Sequence, residues 1–259
     1  MGRAGGSAAE RAADGIYEQC RSLIEVAGPE CAAAKLQLAC FERLGAPGWT
    51  ALERTAAAAR ESGLLVIADG KRGDVPVTAT AYGQALFGST ATPWGETPGL
   101  GADAATVNPM LGADALEPFL GAAEAASAGL FCLVRTSNPG AADLLDLPAP
   151  KAPLFERVAG LLAERAGRLS SESGLSGVGA VVGATEPQHL GRLRELMPDS
   201  IFLVPGVGAQ GGRVAAIGPA FGDHPASVLV TVSRSIAEAS DPAAAAGELR
   251  ADLWRVGGR

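Results

Sequence analysis

Aromatic residues make up only 5% of the 259-residue chain, and histidine occurs twice. With His189 and His224 alone available, a histidine-based metal site is not expected, and both rings are expected to face solvent. No apolar run approaches the ~18 residues that span a membrane. The N-terminal "MGRAGGSAAERAADG" lacks the apolar core of a signal peptide. Basic charge is also short: the net charge is −7, which supplies no field for nucleic acid. Cys20, Cys31, Cys40 and Cys132 show no C-x-x-C spacing. They read as small buried hydrophobes in a reducing compartment, and the expected location is cytoplasmic. The three tryptophans, at 49, 94 and 254, read as packing residues.

What the chain does have is apolar mass. Hydrophobic residues reach 47%, enough for a sizeable core in one large α/β domain. Short β-branched runs alternate with helical stretches almost throughout. Strands are expected at 31–41, 64–71, 103–110, 129–137, 178–184, 201–206 and 227–233. Helices are expected at 8–25, 48–63, 75–87, 114–129, 153–169, 187–196 and 241–254. Residues 88–103 and 138–152 read as irregular loops, and residues 1–7 as disordered. Strands apolar on both faces imply a parallel sheet covered by helices. Repeated βα units of this length imply a (β/α)₈ barrel in a single domain over 1–259. The strands number seven rather than eight, and the chain begins with a helix where a barrel begins with a strand.

The stretch "VIADGKRGDVPVTATAYG" (66–83) carries charge at the end of an apolar strand. Period-two alternation puts Leu65, Ile67, Asp69 and Lys71 on one face. In the preceding strand it puts Ala33, Lys35 and Gln37 on one face. If both faces are the barrel interior, Lys35, Asp69 and Lys71 gather at its C-terminal mouth, with Asp74 on the loop that follows. Barrel enzymes keep their chemistry there. Buried charges demand partners. An alternating Lys–Asp–Lys–Asp array meets that demand, either as an ion-pair network closing the barrel end or as a device that holds Lys71 protonated beside a substrate carbon.

Three further strand ends point to the same mouth. "PGVGAQGG" (205–212) is either a tight turn or a backbone that approaches an anion closely. "VSRSI" (232–236) brings Arg234 beside it, and the pair favours a phosphorylated ligand. "RTSNPG" (135–140) offers Ser137 to a heterocycle edge, although Asn138-Pro139 equally starts a turn. Arg135 is either an active-site cation or a surface residue.

These motifs together resemble the orotidine 5′-phosphate decarboxylase family, of the bacterial type 2 kind. "ADGKRGD" carries its D-x-K-x-x-D pattern, and "AAAKLQLACFE" is similar to its strand-two lysine motif. "VNPMLG", "RTSNPG", "VGAVVGAT", "LVPGVGAQGG" and "VSRSI" resemble its later strand ends in the same order. The resemblance implies decarboxylation of orotidine 5′-phosphate to UMP in pyrimidine biosynthesis, with no cofactor and no metal. It implies catalytic roles for Lys35, Asp69, Lys71 and Asp74, with Lys71 protonating C6 as CO₂ leaves. It implies substrate contacts from Thr78, Ser137, Pro205, Gln210, Gly211, Gly212 and Arg234. Gln210, its neighbouring glycines and Arg234 would hold the phosphate, and Ser137 the pyrimidine. Asp74 and Thr78 would reach a neighbouring subunit's site, which implies a homodimer.

The family's first strand, which ends in a ribose-contacting aspartate, has no counterpart in this chain. The expected barrel therefore comprises strands two to eight. D-x-K-x-x-D alone is shared with related phosphosugar lyases, and the absent strand also fits a non-catalytic UMP-binding relative, so both remain alternatives at this point.

Overall fold

The computed structural model describes residues 6–150 and 152–258. Helix α1 (Ala8–Ala27) opens the chain, and Ser7 caps it. The Ser7 hydroxyl accepts the Glu10 N–H at 3.3 Å, and the Glu10 carboxylate accepts the Ser7 N–H at 2.6 Å. Two amides that a first helical turn leaves unpaired are thereby satisfied. Of the segment 1–7 expected to be disordered, positions 1–5 lie outside the described residues, and Ser7 sits in this cap.

Strand β1 (Ala33–Gln37) is shorter than its apolar run suggests, because helix α2 (Leu38–Glu42) takes over the rest of 31–41. Leu38 and Phe41 are buried while Ala39 and Cys40 are exposed, a spacing that fits a helix and not a strand. Then come α3 (Ala46–Glu61), β2 (Leu65–Arg72) and α4 (Pro76–Leu86). The expected loop 88–103 instead forms a hairpin, β3 (Ser89–Thr92) against β4 (Gly95–Pro98), antiparallel. Its turn is fixed by Thr92, whose hydroxyl accepts the Trp94 N–H at 3.2 Å and donates to the Gly95 carbonyl at 2.6 Å.

Strand β5 (Ala104–Val107), helix α5 (Ala113–Ala126) and strand β6 (Gly129–Arg135) continue the alternation. Within the expected loop 138–152 lies a short helix, α6 (Ala142–Leu145). Helix α7 (Leu154–Ala163), β7 (Ser176–Val182), α8 (Gln188–Leu196), β8 (Ser200–Pro205), β9 (Val228–Thr231), the short α9 (Arg234–Ala237) and α10 (Pro242–Gly257) complete the chain.

Seven strands form one parallel sheet in the order β1-β2-β5-β6-β7-β8-β9. Among the described residues this is a (β/α)₈ barrel lacking one strand. The eighth place lies between β9 and β1, where a cavity of about 570 Å³ is lined by Ala33 of β1, Leu229 of β9, and Leu253 and Trp254 of α10. Two apolar layers hold the fold. Ile67, Ala104, Phe131, Val181 and Leu203 pack on the inner face, one from each of five successive strands. Val66, Ala105, Leu130, Val182 and Val204, the outward neighbours in those strands, join a larger core shared with the helices. Burial of that apolar surface, at about 25 cal/mol per Å², is what favours packing of the sheet against its helices.

Arg194 is a buried charge with a structural task. Its guanidinium donates to the carbonyls of Ala220, Met197, Pro198 and Ser200 at 2.7–3.0 Å and to that of Ser227 at 3.3 Å, and it lies 3.9 Å from the Phe202 ring centre. Burial lowers its pKa to about 10, against a smaller raising effect of Asp199.

Several expectations for isolated residues change. The tryptophans are not packing residues: Trp49, Trp94 and Trp254 are all exposed, Trp94 at 93% on the hairpin tip. Cys132 is buried, and burial pushes its thiol up to about 12, but Cys31 and Cys40 are exposed. His224 is exposed, whereas His189 is half-buried with its ring edge-on to Phe155 at 4.8 Å.

Candidate active site

The parallel register sets the site. Gln37 of β1 stands opposite Asp69 of β2, with Lys35 opposite Ile67 one layer below. Opposed residues in a parallel pair share a face, so Lys35 reaches up toward Asp69. Its ammonium donates to Asp69 Oδ2, and to Gln37 Oε1 at 3.3 Å. The Lys71 ammonium donates to Asp69 Oδ1 at 2.5 Å. Thr106 of β5 donates to the same oxygen at 2.9 Å.

Asp69 is therefore a buried carboxylate with both oxygens engaged. Its side chain is 6% exposed, against 21% for Lys35 and 42% for Lys71. Burial alone would raise its pKa. The two ammonium groups outweigh that and hold the carboxyl below the ordinary carboxylate range.

Lys71 stands where β2 loses its regular ladder. Ala68 pairs with Ala105 but Arg72 with Val107, so β2 carries extra residues between these pairs. Lys71 has φ 48, in the left-handed region that side chains rarely adopt. Arg72 braces the strand end: it donates to the Gly70 carbonyl at 3.1 Å and pairs with Glu42 of α2.

A cavity of about 500 Å³ opens above this cluster. Lys35, Asp69, Lys71, Ser137, Pro205, Gln210 and Arg234 all line it. The charged array and the cationic strand end thus share one chamber. Ser137 donates to Gln210 Oε1 at 2.9 Å, which ties the β6 loop to the loop after β8. Among the described residues, no three His, Cys, Asp or Glu side chains are grouped as a metal would require.

Four expected residues are not on the cavity wall. Asp74 turns to its own backbone, accepting the Val75 N–H at 2.7 Å. Thr78 is exposed on α4, next to Val77, which is 85% exposed. Gly211 and Gly212 close their loop on itself: the Gly211 N–H donates to the Gly208 carbonyl at 2.8 Å and the Gly212 N–H to the Gly206 carbonyl at 2.9 Å. Gly211 has φ +92, and a Cβ at Gly212 would lie 2.6 Å from the Gly206 oxygen, so glycine is required here for the turn. These two amides are therefore occupied within the loop itself.

Arg135 is neither a cavity cation nor a surface residue. It is 5% exposed, and its guanidinium pairs bidentately with Asp146 at 2.8 and 3.0 Å, fixing the segment after α6. Thr106 was missed by sequence reasoning. A threonine in "AATV" reads as an ordinary strand residue, and its neighbour across the sheet is known only once the register is.

The chain is similar to proteins of known name across most of its length. It is 41% identical over 237 residues to the orotidine 5′-phosphate decarboxylase of Rhodopirellula baltica, covering 89% of this chain and 76% of that one. The solved OMP decarboxylase of Leishmania donovani is 35% identical with a TM-score of 0.77, covering 95% of this chain and 90% of that one. The UMP synthase of the same organism is 37% identical with a TM-score of 0.78; this chain spans 51% of its length. The model of the orotidine 5′-phosphate decarboxylase / HUMPS family matches residues 12–249, which takes in the charged array, the β6 loop and the Arg234 strand end. On that match and those identities, the chain belongs to the orotidine 5′-phosphate decarboxylase / HUMPS family.

Proposed function

We propose that this protein decarboxylates orotidine 5′-phosphate to UMP, the reaction named for its relatives, in pyrimidine biosynthesis. The observation that carries the reading is the Asp69–Lys71 contact in a chamber that Gln210 and Arg234 also line. The first pair suits a reacting carboxylate, the second a phosphate.

The chemistry follows from the charges. The bond between C6 and the substrate carboxyl breaks, CO₂ departs, and the electron pair stays on C6. That carbanion has little resonance help, so a fixed ammonium must offset its charge as it develops. Lys71 then gives a proton from Nζ to C6 and recovers one from solvent. Asp69 lies against the substrate carboxylate and fixes the direction of the Lys71 ammonium, while Lys35 balances the Asp69 charge. Arg234 and the Gln210 side chain hold the phosphate, with Ser137 and Pro205 beside the base. Because the Gly211 and Gly212 amides are taken, those glycines shape the loop more than they bind. Phosphate contacts far from C6 supply binding energy for orientation. No cofactor or metal enters this account, so EDTA leaves the rate unchanged.

The active form in this reading is a homodimer, with Asp74 and Thr78 serving the other subunit's chamber. Support comes from their position off the chamber wall of their own chain, and from the exposed Val75 and Val77 at the start of α4. The proposed location is cytoplasmic; among the described residues no helix is long and apolar enough to cross a membrane.

The test is direct. Purified chain is mixed with orotidine 5′-phosphate and the loss of orotidine absorbance is followed together with UMP formation. Stoichiometric UMP supports the reading. UMP binding without turnover points to the non-catalytic relative instead.

A further inference from the structure

The irregular end of β2 creates a problem that one residue solves. Ala68 pairs with Ala105 and Arg72 with Val107, so Asp69, Gly70 and Lys71 all lie opposite Thr106. The regular ladder has no acceptor for every amide in that stretch. An N–H left unpaired in a partly buried place is costly. The Lys71 N–H goes to Thr106 Oγ1 at 2.9 Å.

A hydroxyl has a single proton to give and lone pairs to receive with. The proton of Thr106 goes to Asp69 Oδ1 at 2.9 Å, the same oxygen that receives the Lys71 ammonium at 2.5 Å. The contacts form a closed ring that begins and ends on Lys71: backbone N–H to Thr106, Thr106 to Asp69, and Asp69 to the Lys71 side chain. Thr106 is 1% exposed, and its bond to Asp69 is buried.

We infer that Thr106 is a positioning residue for the decarboxylation, its hydroxyl holding the left-handed Lys71 backbone and the Asp69 carboxylate in one fixed geometry. The inference rests on the proposed reaction and deepens it. A left-handed lysine is strained and persists only when its surroundings hold it there. The hydroxyl grips the strained residue at its backbone and, through Asp69, at its head group. Without it the ammonium keeps its charge but loses its aim. Small misplacement of a reacting group is enough to cost about a hundredfold in rate.

The test uses the full-length protein with Thr106→Val, which keeps the shape and removes the hydroxyl, and Thr106→Ser, which keeps the hydroxyl. Thr106→Val is expected to lower kcat by roughly 10–100-fold with KM within about threefold of wild type. Thr106→Ser is expected to stay within about threefold in both. Should the valine variant not fold, Thr106→Ala against Thr106→Ser makes the same comparison, since both lack the methyl and differ only in the hydroxyl. A serine variant as slow as the valine or alanine one overturns the inference. So does a valine variant with wild-type kcat, or one whose loss lies wholly in KM. Hydrogen exchange at the Lys71 amide separates this inference from the reaction itself. Exchange at least about tenfold faster in Thr106→Val than in wild type and Thr106→Ser supports the lock whether or not the wild type turns over; equal exchange in all three removes it.

Discussion

Asp69 and Lys71 are two residues apart on one strand, yet the Lys71 ammonium folds back to Asp69 Oδ1 at 2.5 Å. The strand is irregular between Ala68 and Arg72, and Lys71 takes up the left-handed φ of 48 there. Lys35 approaches the other carboxylate oxygen from β1. One buried anion thus organises two cations that would otherwise repel each other at the mouth of the barrel.

Replacing Asp69 by Asn leaves those cations facing each other without an anion between them. Breaking a buried pair by removing one partner typically costs ~3–5 kcal/mol; with Lys71 partly solvated, the expected loss is at the low end, roughly 3 kcal/mol. Urea unfolding at neutral pH measures it. A variant as stable as wild type would mean that the array carries no net interaction.

The same variant sets a pH dependence. Asp69 is held below the ordinary carboxylate range by Lys35 and Lys71, against the effect of burial. A lowered carboxyl pKa stabilises the fold above the unfolded-state value, about 3.9, and that stabilisation disappears as pH falls through the folded-state value. The stability gap between wild type and Asp69→Asn is therefore expected to be constant from about pH 7 to 5 and to shrink only below about pH 4. Chemical unfolding at a series of pH values follows it. A gap that closes between pH 7 and 5 would contradict a lowered pKa.

Arg234 is expected to matter to phosphate and not to base. A charge-assisted hydrogen bond contributes ~1.5–3 kcal/mol, so Arg234→Ala should weaken UMP binding by about 10–100-fold. Uridine, which has no phosphate, should bind both proteins equally. Calorimetric titration with the two ligands separates the cases.

The shared-site reading gives a complementation test. Lys71→Ala and Asp74→Ala are each expected to be inactive. In a dimer that exchanges Asp74 across subunits, a mixed dimer keeps one intact site, so mixing equal amounts after reversible dissociation should restore up to about a quarter of wild-type activity. No recovery, with mixed dimers verified, would place Asp74 on its own subunit's chemistry.

Arg194 tests the structural half of the molecule. Arg194→Met removes the donors to five carbonyls and the contact with Phe202. Losses of about 3 kcal/mol or more are expected by urea unfolding, with the cavity residues untouched.

Much of this was legible in the sequence because period-two alternation is a local property. It put Lys35, Asp69 and Lys71 on one face before any pairing was known. Alternating βα units likewise gave the barrel and the count of seven main-sheet strands. What escaped depends on neighbours distant in sequence or on competing local patterns. "LQLACF" reads as strand until Leu38 and Phe41 are seen burying one helical face. The 88–103 loop hides a hairpin because its threonines and glycines fit either state. Thr106 acquires meaning only from the register that sets it opposite Lys71, and Arg135 only from Asp146, eleven residues away. The glycines after β8 were legible as a turn, but not that their amides would be used within it.

The most direct test of the central claim compares wild type with Lys71→Ala on orotidine 5′-phosphate, with UMP affinity measured alongside. The account predicts UMP formation by wild type, a loss of at least about a thousandfold in kcat for Lys71→Ala, and UMP affinity changed by less than about tenfold. A Lys71→Ala protein that still decarboxylates within about tenfold of wild type would contradict it.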